Sequence, residues 1–170
     1  MERANHAISV RAYEPGDREG FARLVATVLG EFGLSVDPVL EADLDDPGGV
    51  YNAVWVATDN DEVVGSVAVW LLEGGAAAEL KRMYLRPAYR GRGLGRDLLD
   101  QAIGWAHGQG CSSIILDTST TMTAAQRFYE AAGFVRTSAR TEHGTCDSRC
   151  EVLYKLELPN ASQDRMPRYG

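Results

Sequence analysis

One segment constrains this chain more than any other: Arg90-Gly91-Arg92-Gly93-Leu94-Gly95, set between a strand-like run and a helical stripe. Glycines at alternate positions permit backbone conformations closed to other residues, so successive N–H groups can converge on one anion. A helix that begins there points its positive end at the same place. The segment therefore predicts strand, turn and helix in that order, with a phosphate as the natural guest. Other nucleotide motifs fit poorly. No Gly-Lys-Ser/Thr follows as a Walker loop requires, and Arg96 stands where a dinucleotide fingerprint has its last glycine. Taken alone, a glycine turn that merely caps a surface helix would read the same way.

The flanking elements follow from periodicity. Ile8 to Tyr13 alternates apolar and polar residues as a strand does, and Pro15-Gly16-Asp17 interrupts it. Phe21, Leu24, Val25, Val28, Leu29 and Phe32 share one helical face, with Gly33 as the stop. The acidic stretch from Ser35 to Gly49, broken by Pro38 and Pro47, predicts a short helix and surface loops. Asn52 to Thr58 and Val63 to Leu72 read as strands joined by a hairpin turn at Asp59-Asn60-Asp61-Glu62. Gly74-Gly75 leads into a strand from Ala78 to Leu85, closed by Arg86-Pro87. Leu94, Leu98, Leu99, Ala102, Ile103 and Ala106 form the next helical stripe, ending near Gly108 and Gly110. Ile114-Ile115-Leu116 predicts a central strand buried on both faces. Thr123 to Ala132 predicts a helix stopped by Gly133, with Phe128 and Ala132 facing the core. Strands around Phe134 to Thr137 and Glu151 to Leu158 complete an α/β order, a mixed sheet flanked by helices.

Composition removes several classes of function. At 170 residues the chain suits one domain, 1–158, followed by a loose tail, 159–170. Apolar residues at 45% with 24% charged exclude a disordered chain. A net charge of −7 argues against general nucleic-acid binding, which needs basic surface to displace counterions from phosphate. No apolar run is long enough to cross a bilayer, and MERANHAISV lacks the apolar stretch of a signal peptide, so the expectation is a cytoplasmic protein without membrane association. Cys111, Cys146 and Cys150 lack a second Cys/His pair at metal-ligand spacing, and His6, His107 and His143 form no constellation. No metal is expected.

Three stretches together carry more information than each alone: Glu79 to Pro87, Arg90 to Gly95, and Ala125 to Phe134. They resemble the GNAT superfamily of acyl-CoA-dependent N-acetyltransferases, in detail from Ala78 to Phe134 and by element order from Ile8 to Leu158. The resemblance implies a central, mostly antiparallel mixed sheet of about six to seven strands flanked by about four helices. In that family an R/Q-x-x-G-x-G/A segment binds the CoA pyrophosphate, which here falls on Arg90, Gly91, Arg92, Gly93, Leu94 and Gly95, with Arg96 next to it. The strand holding Met83, Tyr84 and Leu85 is implied to run beside the pantetheine arm and to offer it backbone hydrogen bonds. Met122, Ala125 and Phe128 are implied to line the donor from the later helix. Met122 departs from the pattern, since many family members have asparagine seven residues before the tyrosine. Thr120, Thr121 and Thr123 are nearby polar groups able to substitute.

The same resemblance implies the chemistry. Tyr129, shortly before Gly133-Phe134, is the candidate general acid, because a tyrosine phenol of pKa about 10 can protonate the departing thiolate. Glu79, eleven residues before Arg90, is the candidate base for an amine that arrives as ammonium. Both residue types also occur with bland roles, as core packing and as a solvated strand end. The donor implied is acetyl-CoA as co-substrate, and the acceptor a primary amine of a small molecule attacked directly in a ternary complex. A protein lysine or N-terminus, or a non-catalytic acyl-CoA sensor, is the alternative. Glu31, Asp37, Glu41, Asp43, Asp45 and Asp46 fall in the region implied to border the acceptor, where they favour a cation or merely solvate the surface. A homodimer is left open as an assembly.

Overall fold

The computed structural model describes residues 8–138 and 152–159. The expectations placed on Cys146 and Cys150, on His6 and His143, and on the tail after Pro159 lie outside the described residues. Along the chain run β1 (Ile8–Ala12), α1 (Arg18–Glu31), α2 (Pro47–Val50), β2 (Ala53–Asp59), β3 (Glu62–Leu71), β4 (Ala77–Leu85), α3 (Leu94–Gly108), β5 (Ser113–Thr118), α4 (Thr123–Ala131), β6 (Val135–Thr137) and β7 (Val152–Glu157). Short 3-10 turns at Pro15–Asp17, Ala42–Asp45 and Pro87–Tyr89 precede α1, α2 and the glycine segment. The strands form one sheet in the order β1-β2-β3-β4-β5-β7-β6. Pairing of β4 with β5 is parallel, whereas β1–β2, β2–β3, β5–β7 and β6–β7 are antiparallel. The sheet is thus mixed and mostly antiparallel, as the resemblance implied.

The residues cluster into two compact units, Met1–Trp70 with Lys81–Ala102, and Leu71–Leu80 with Ile103–Gly170. In the first, the predicted stripe of α1 is the core: Phe21, Leu24 and Val25 are fully buried and pack with Val56, Val63 and Ala68. Gly20 brings α1 close to β3, since a Cβ there would lie 2.9 Å from Val63 Cγ2. Gly33 ends the helix in a left-handed conformation, φ 70°, and the Leu34 N–H closes onto the Leu29 carbonyl at 3.0 Å. The hairpin between β2 and β3 turns on Asn60 and Asp61, at φ 48° and 68°, the paired positive values that a two-residue type I′ turn requires.

In the second unit, Ala77, Ala78 and Glu79 of β4 pair with Ser113, Ile114 and Ile115 of β5, and β7 covers the other edge of β5. Ile114 and Tyr154 are fully buried and Leu116 nearly so. Strand β5 is interior to the sheet, but its burial alternates, with Ile115 and Asp117 only half-buried. The apolar run therefore reflects one well-packed face and not two.

Candidate active site

The glycine segment is built as its sequence demands. Arg90 ends the 3-10 turn, and Gly91 and Gly93 both adopt left-handed backbone, φ 74° and 84°. A Cβ on either would meet nothing within 4 Å, so conformation, not space, is what calls for glycine. The Gly93 carbonyl accepts from Asp97 N–H at 3.0 Å, which starts α3, while buried Leu94, Leu98 and Leu99 root that helix in the core. The first-turn N–H groups of a helix of 15 residues, carrying its positive dipole end, are thus presented directly after the turn. This geometry fits a pyrophosphate.

The arginines around the turn are held by neighbours of their own. Arg90 donates from Nη1 and Nη2 to the two carboxylate oxygens of Glu31, at 2.8 and 2.7 Å, and from Nε to the Leu85 carbonyl at 3.0 Å. The Arg92 guanidinium lies over the Tyr89 ring, 5.7 Å from its centroid. Tyr89 donates its hydroxyl to Asp59 at 2.8 Å, a bond that raises the phenol above its ordinary pKa. Arg96 pairs with Asp100 at 2.9 Å along α3.

Met83, Tyr84 and Leu85 are the half-buried end of β4. The Leu85 side chain lies over Gly65, where an added Cβ would come within 2.7 Å of Leu85 and 3.0 Å of Leu98. Immediately before them Arg82 sits at φ 50°, a conformation that strains a residue with a Cβ. Its carbonyl accepts the Ser66 hydroxyl at 2.6 Å, and its Nε and Nη2 donate to Asp43 at 2.8 and 2.5 Å. Tyr51 donates to the same carboxylate at 2.8 Å. Side-chain exposure is 12% for Arg82 and 10% for Asp43, so this pair is buried. Burial alone would lower the Arg82 pKa, but its bonds to Asp43 and the negative groups nearby prevail and raise it. Burial, with the Asp43 charge, pushes the Tyr51 phenol up.

The acidic stretch is consumed by the fold. Glu31 holds Arg90, Asp43 holds Arg82, Glu41 accepts the Asp37 N–H, Asp37 accepts from Val39 and Leu40 N–H, and Asp46 accepts from Gly49 N–H. Five of the six carboxylates thus have internal partners, and attraction for a cation is not what they chiefly provide.

Both candidate catalytic residues lie in the second unit. Glu79 is 2% exposed, on the stretch of β4 that pairs with β5, opposite Ile115. The solvated-strand-end reading of this carboxylate is therefore excluded. Tyr129 is 6% exposed, its ring 5.4 Å from Phe128, 5.6 Å from Phe134 and 6.4 Å from Tyr154 between centroids. Here the sequence expectation needs correction: Phe128 and Ala132 are half-buried, and Tyr129 is the buried residue of α4. The reason is local. Gly133 at φ 97° turns the chain back so that Phe134 N–H bonds the Tyr129 carbonyl at 3.0 Å, which lays Phe134 against the Tyr129 ring. Tyr154 also donates to Glu130 at 2.7 Å, raising its own phenol pKa.

Met122, Ala125 and Phe128 recur at three-residue steps and are each half-buried. Met122 precedes α4, with its sulfur 3.6 Å from the Thr118 hydroxyl. Of the nearby polar groups, Thr121 bonds the Ser119 hydroxyl at 2.9 Å, and Gln126 Nε2 donates to the Ser119 carbonyl at 3.0 Å.

A profile of the acetyltransferase (GNAT) family matches residues 22–134. The chain belongs to this family. Among curated relatives, the uncharacterized N-acetyltransferase C1271.07c of Schizosaccharomyces pombe is 36% identical over 137 residues, covering 76% of this chain and 84% of that protein. The uncharacterized N-acetyltransferase YjgM of Escherichia coli is 34% identical over 127 residues, covering 69% and 76%. N-acetylaspartate synthetase of Danio rerio is 32% identical over 106 residues, 59% of this chain and 38% of the other. A GNAT-family acetyltransferase structure from Staphylococcus aureus superimposes with a TM-score of 0.84 at 24% identity, covering 90% of this chain and all of that one. The yncA structure from Salmonella typhimurium, which holds its cofactor acetyl-CoA, has a TM-score of 0.69 at 21% identity over 90% of this chain and 95% of that one. This GNAT acetyltransferase thus shares its fold with a protein whose structure holds acetyl-CoA. Among the described residues no helix is long and apolar enough to cross a membrane.

The internal partners of Arg90 and Arg82 were not legible beforehand. Glu31 lies 59 positions from Arg90 and Asp43 lies 39 from Arg82, separations at which no periodicity operates. One local hint existed for Glu31, a carboxylate at a helix C-terminus, where the dipole disfavours it.

Proposed function

We propose that this GNAT enzyme transfers an acetyl group from acetyl-CoA to the primary amine of a small molecule by direct attack in a ternary complex. The observation that carries the reading is the burial of both a carboxylate, Glu79, and a phenol, Tyr129, in one compact unit. Burying an ionisable group without use is costly, and active sites are where such costs are tolerated.

The roles follow from proton accounting. The acceptor arrives as ammonium, and Glu79, directly or through a water, takes the proton that frees its lone pair. The amine nitrogen then bonds to the thioester carbonyl carbon, the carbon–sulfur bond breaks, and Tyr129 delivers its proton to the departing CoA sulfur. The nitrogen, cationic once bonded to the acetyl carbon, gives up its second proton to the phenolate directly or through water, so that the products are the neutral amide and free CoA, and Glu79 releases its proton to solvent. The donor's pyrophosphate is assigned to the backbone N–H groups of Gly91 to Arg96, and its pantetheine arm to Met83, Tyr84 and Leu85. The small-amine acceptor class is supported by the relatives named N-acetylaspartate synthetase, whose product is the amide of an amino acid.

Release of free thiol from acetyl-CoA, measured against amino acids, polyamines, aminoglycosides and peptides, tests this reading. Turnover that depends on one of the small amines is expected. Tight CoA binding with no turnover on any acceptor would replace it with a sensor, and turnover on peptides alone would move the acceptor class to proteins.

A further inference from the structure

Three of the five N–H groups of the Arg90 guanidinium are committed inside the protein: two to Glu31 and one to the Leu85 carbonyl. With its Nη1/Nη2 edge taken by a carboxylate and its Nε by a carbonyl, the fork has no free pair of N–H groups with which to grip a phosphate bidentately. Glu31 is the last residue of α1, where a carboxylate faces the negative end of the helix dipole. A local rule broken without local compensation marks a residue placed for something else. Arg90 supplies that compensation. It joins the end of α1 to the end of β4 at the position where the chain enters the left-handed turn Gly91–Gly93.

We propose that Glu31 is a positioning residue for donor binding. Through Arg90 it fixes the entry to the turn, so that the backbone N–H groups after it, and not the Arg90 side chain, receive the pyrophosphate. This rests on the reading that Arg90–Gly95 holds the pyrophosphate of CoA, and assigns to the conspicuous arginine of that segment a role directed inward. The pair is part-exposed, 44% for Arg90 and 28% for Glu31, so its effect is modest in size. Its sign is the informative quantity. Removing a negative charge near a site for an anion would by simple electrostatics tighten binding, and freeing a guanidinium to act as ligand would tighten it further. Losing a positioning element weakens it.

CoA binding to the parent and to Glu31→Gln, measured by calorimetry, separates these cases. The expected result is binding weakened about three- to fivefold. Arg90→Lys, which keeps the charge and loses the fork, should weaken binding similarly, and the double variant should be no worse than either single change. Activity with acetyl-CoA is then compared with that on the acetyl thioester of N-acetylcysteamine, which lacks the pyrophosphate. KM should rise for acetyl-CoA alone. Unchanged or tighter CoA binding in Glu31→Gln, or equal loss with both donors, overturns the proposal. Failure of the parent itself to bind CoA would instead remove the reading of the segment as a pyrophosphate site.

Discussion

Arg82, at φ 50° in the middle of β4, holds that conformation with its guanidinium bound through two nitrogens to Asp43, 39 residues earlier in the chain. A left-handed residue with a side chain costs about 1–3 kcal/mol and persists only where its surroundings over-determine it. Here Asp43 holds one end of the residue and Ser66 the other. Asp43→Ala leaves a buried guanidinium without its carboxylate and should cost about 3–5 kcal/mol in denaturant unfolding. Arg82→Gly should be less damaging than Arg82→Ala by about 1 kcal/mol, because both lose the ion pair while only glycine relieves the backbone. Equal stability of the two would mean that the backbone is not strained there.

Gly20 gives a prediction in which two effects oppose. Alanine favours a helix over glycine by about 0.5–1 kcal/mol. Its Cβ, however, would sit 2.9 Å from Val63 Cγ2 and 3.1 Å from Val63 Cβ. A β-branched side chain with one preferred rotamer cannot yield easily, and overpacking costs about 1–3 kcal/mol. Gly20→Ala should therefore lower Tm, by about 2–4 °C for each net kcal/mol. A raised Tm would show that Val63 gives way.

Tyr129→Phe keeps the ring that packs on Phe128, Phe134 and Tyr154 and removes only the hydroxyl. With the general-acid role proposed above, kcat should fall about 100-fold or more, while stability changes by less than about 1.5 kcal/mol. CoA affinity should stay as in the parent. Turnover at the parental rate across the pH range would remove the hydroxyl from the mechanism.

Asp17 links stability to acid. Its carboxylate is bound bidentately by Arg11 at 2.8 and 2.9 Å and also accepts the Glu14 N–H at 2.8 Å. The Arg11 hydrogen bonds chiefly, opposed by burial and helped by Glu14 N–H, hold its pKa below the ordinary carboxylate value. A pKa depressed on folding means stabilisation that is fully present above the unfolded value, about 3.9, and lost as pH falls through the folded one. Denaturation midpoints collected from pH 7 down to pH 2 should therefore drop less steeply in Asp17→Asn than in the parent. Parallel acid limbs would deny Asp17 this part.

How much of this was readable from the chain depends on the range over which each feature is determined. The Asp59 to Glu62 turn was legible because Asn60 and Asp61 carry the positive φ values themselves. The entry to α3 was legible for the same reason, since Gly91 and Gly93 are chosen for their own backbone angles. The buried face of α4 was not. Nine residues give a weak stripe, and it was the return of the chain through Gly133, placing Phe134 on the Tyr129 ring, that decided the side. Likewise the acidic residues from Glu31 to Asp46 looked like a surface charge cluster in sequence. For Glu31 and Asp43 the partners, Arg90 and Arg82, come from β4 and the turn beyond it, so the local pattern carried no sign of their neutralisation, whereas Asp37, Glu41 and Asp46 are satisfied by backbone N–H groups within four residues.

The division of β4 between the two units has a consequence for synthesis and for engineering. The chain leaves the first unit after Trp70, returns at Lys81 and leaves again after Ala102, so each unit is discontinuous. No single cut separates the two units, since a cut after Ala102 keeps the first whole only together with the Leu71–Leu80 part of the second. The first cannot complete its packing until residues through Ala102 have left the ribosome, by which time the Leu71–Leu80 part of the second is already made and waiting for its partners. A nick after Ala102 should thus divide only the second unit, so that the piece from Ile103 onward folds only when Leu71–Leu80 is supplied by the other.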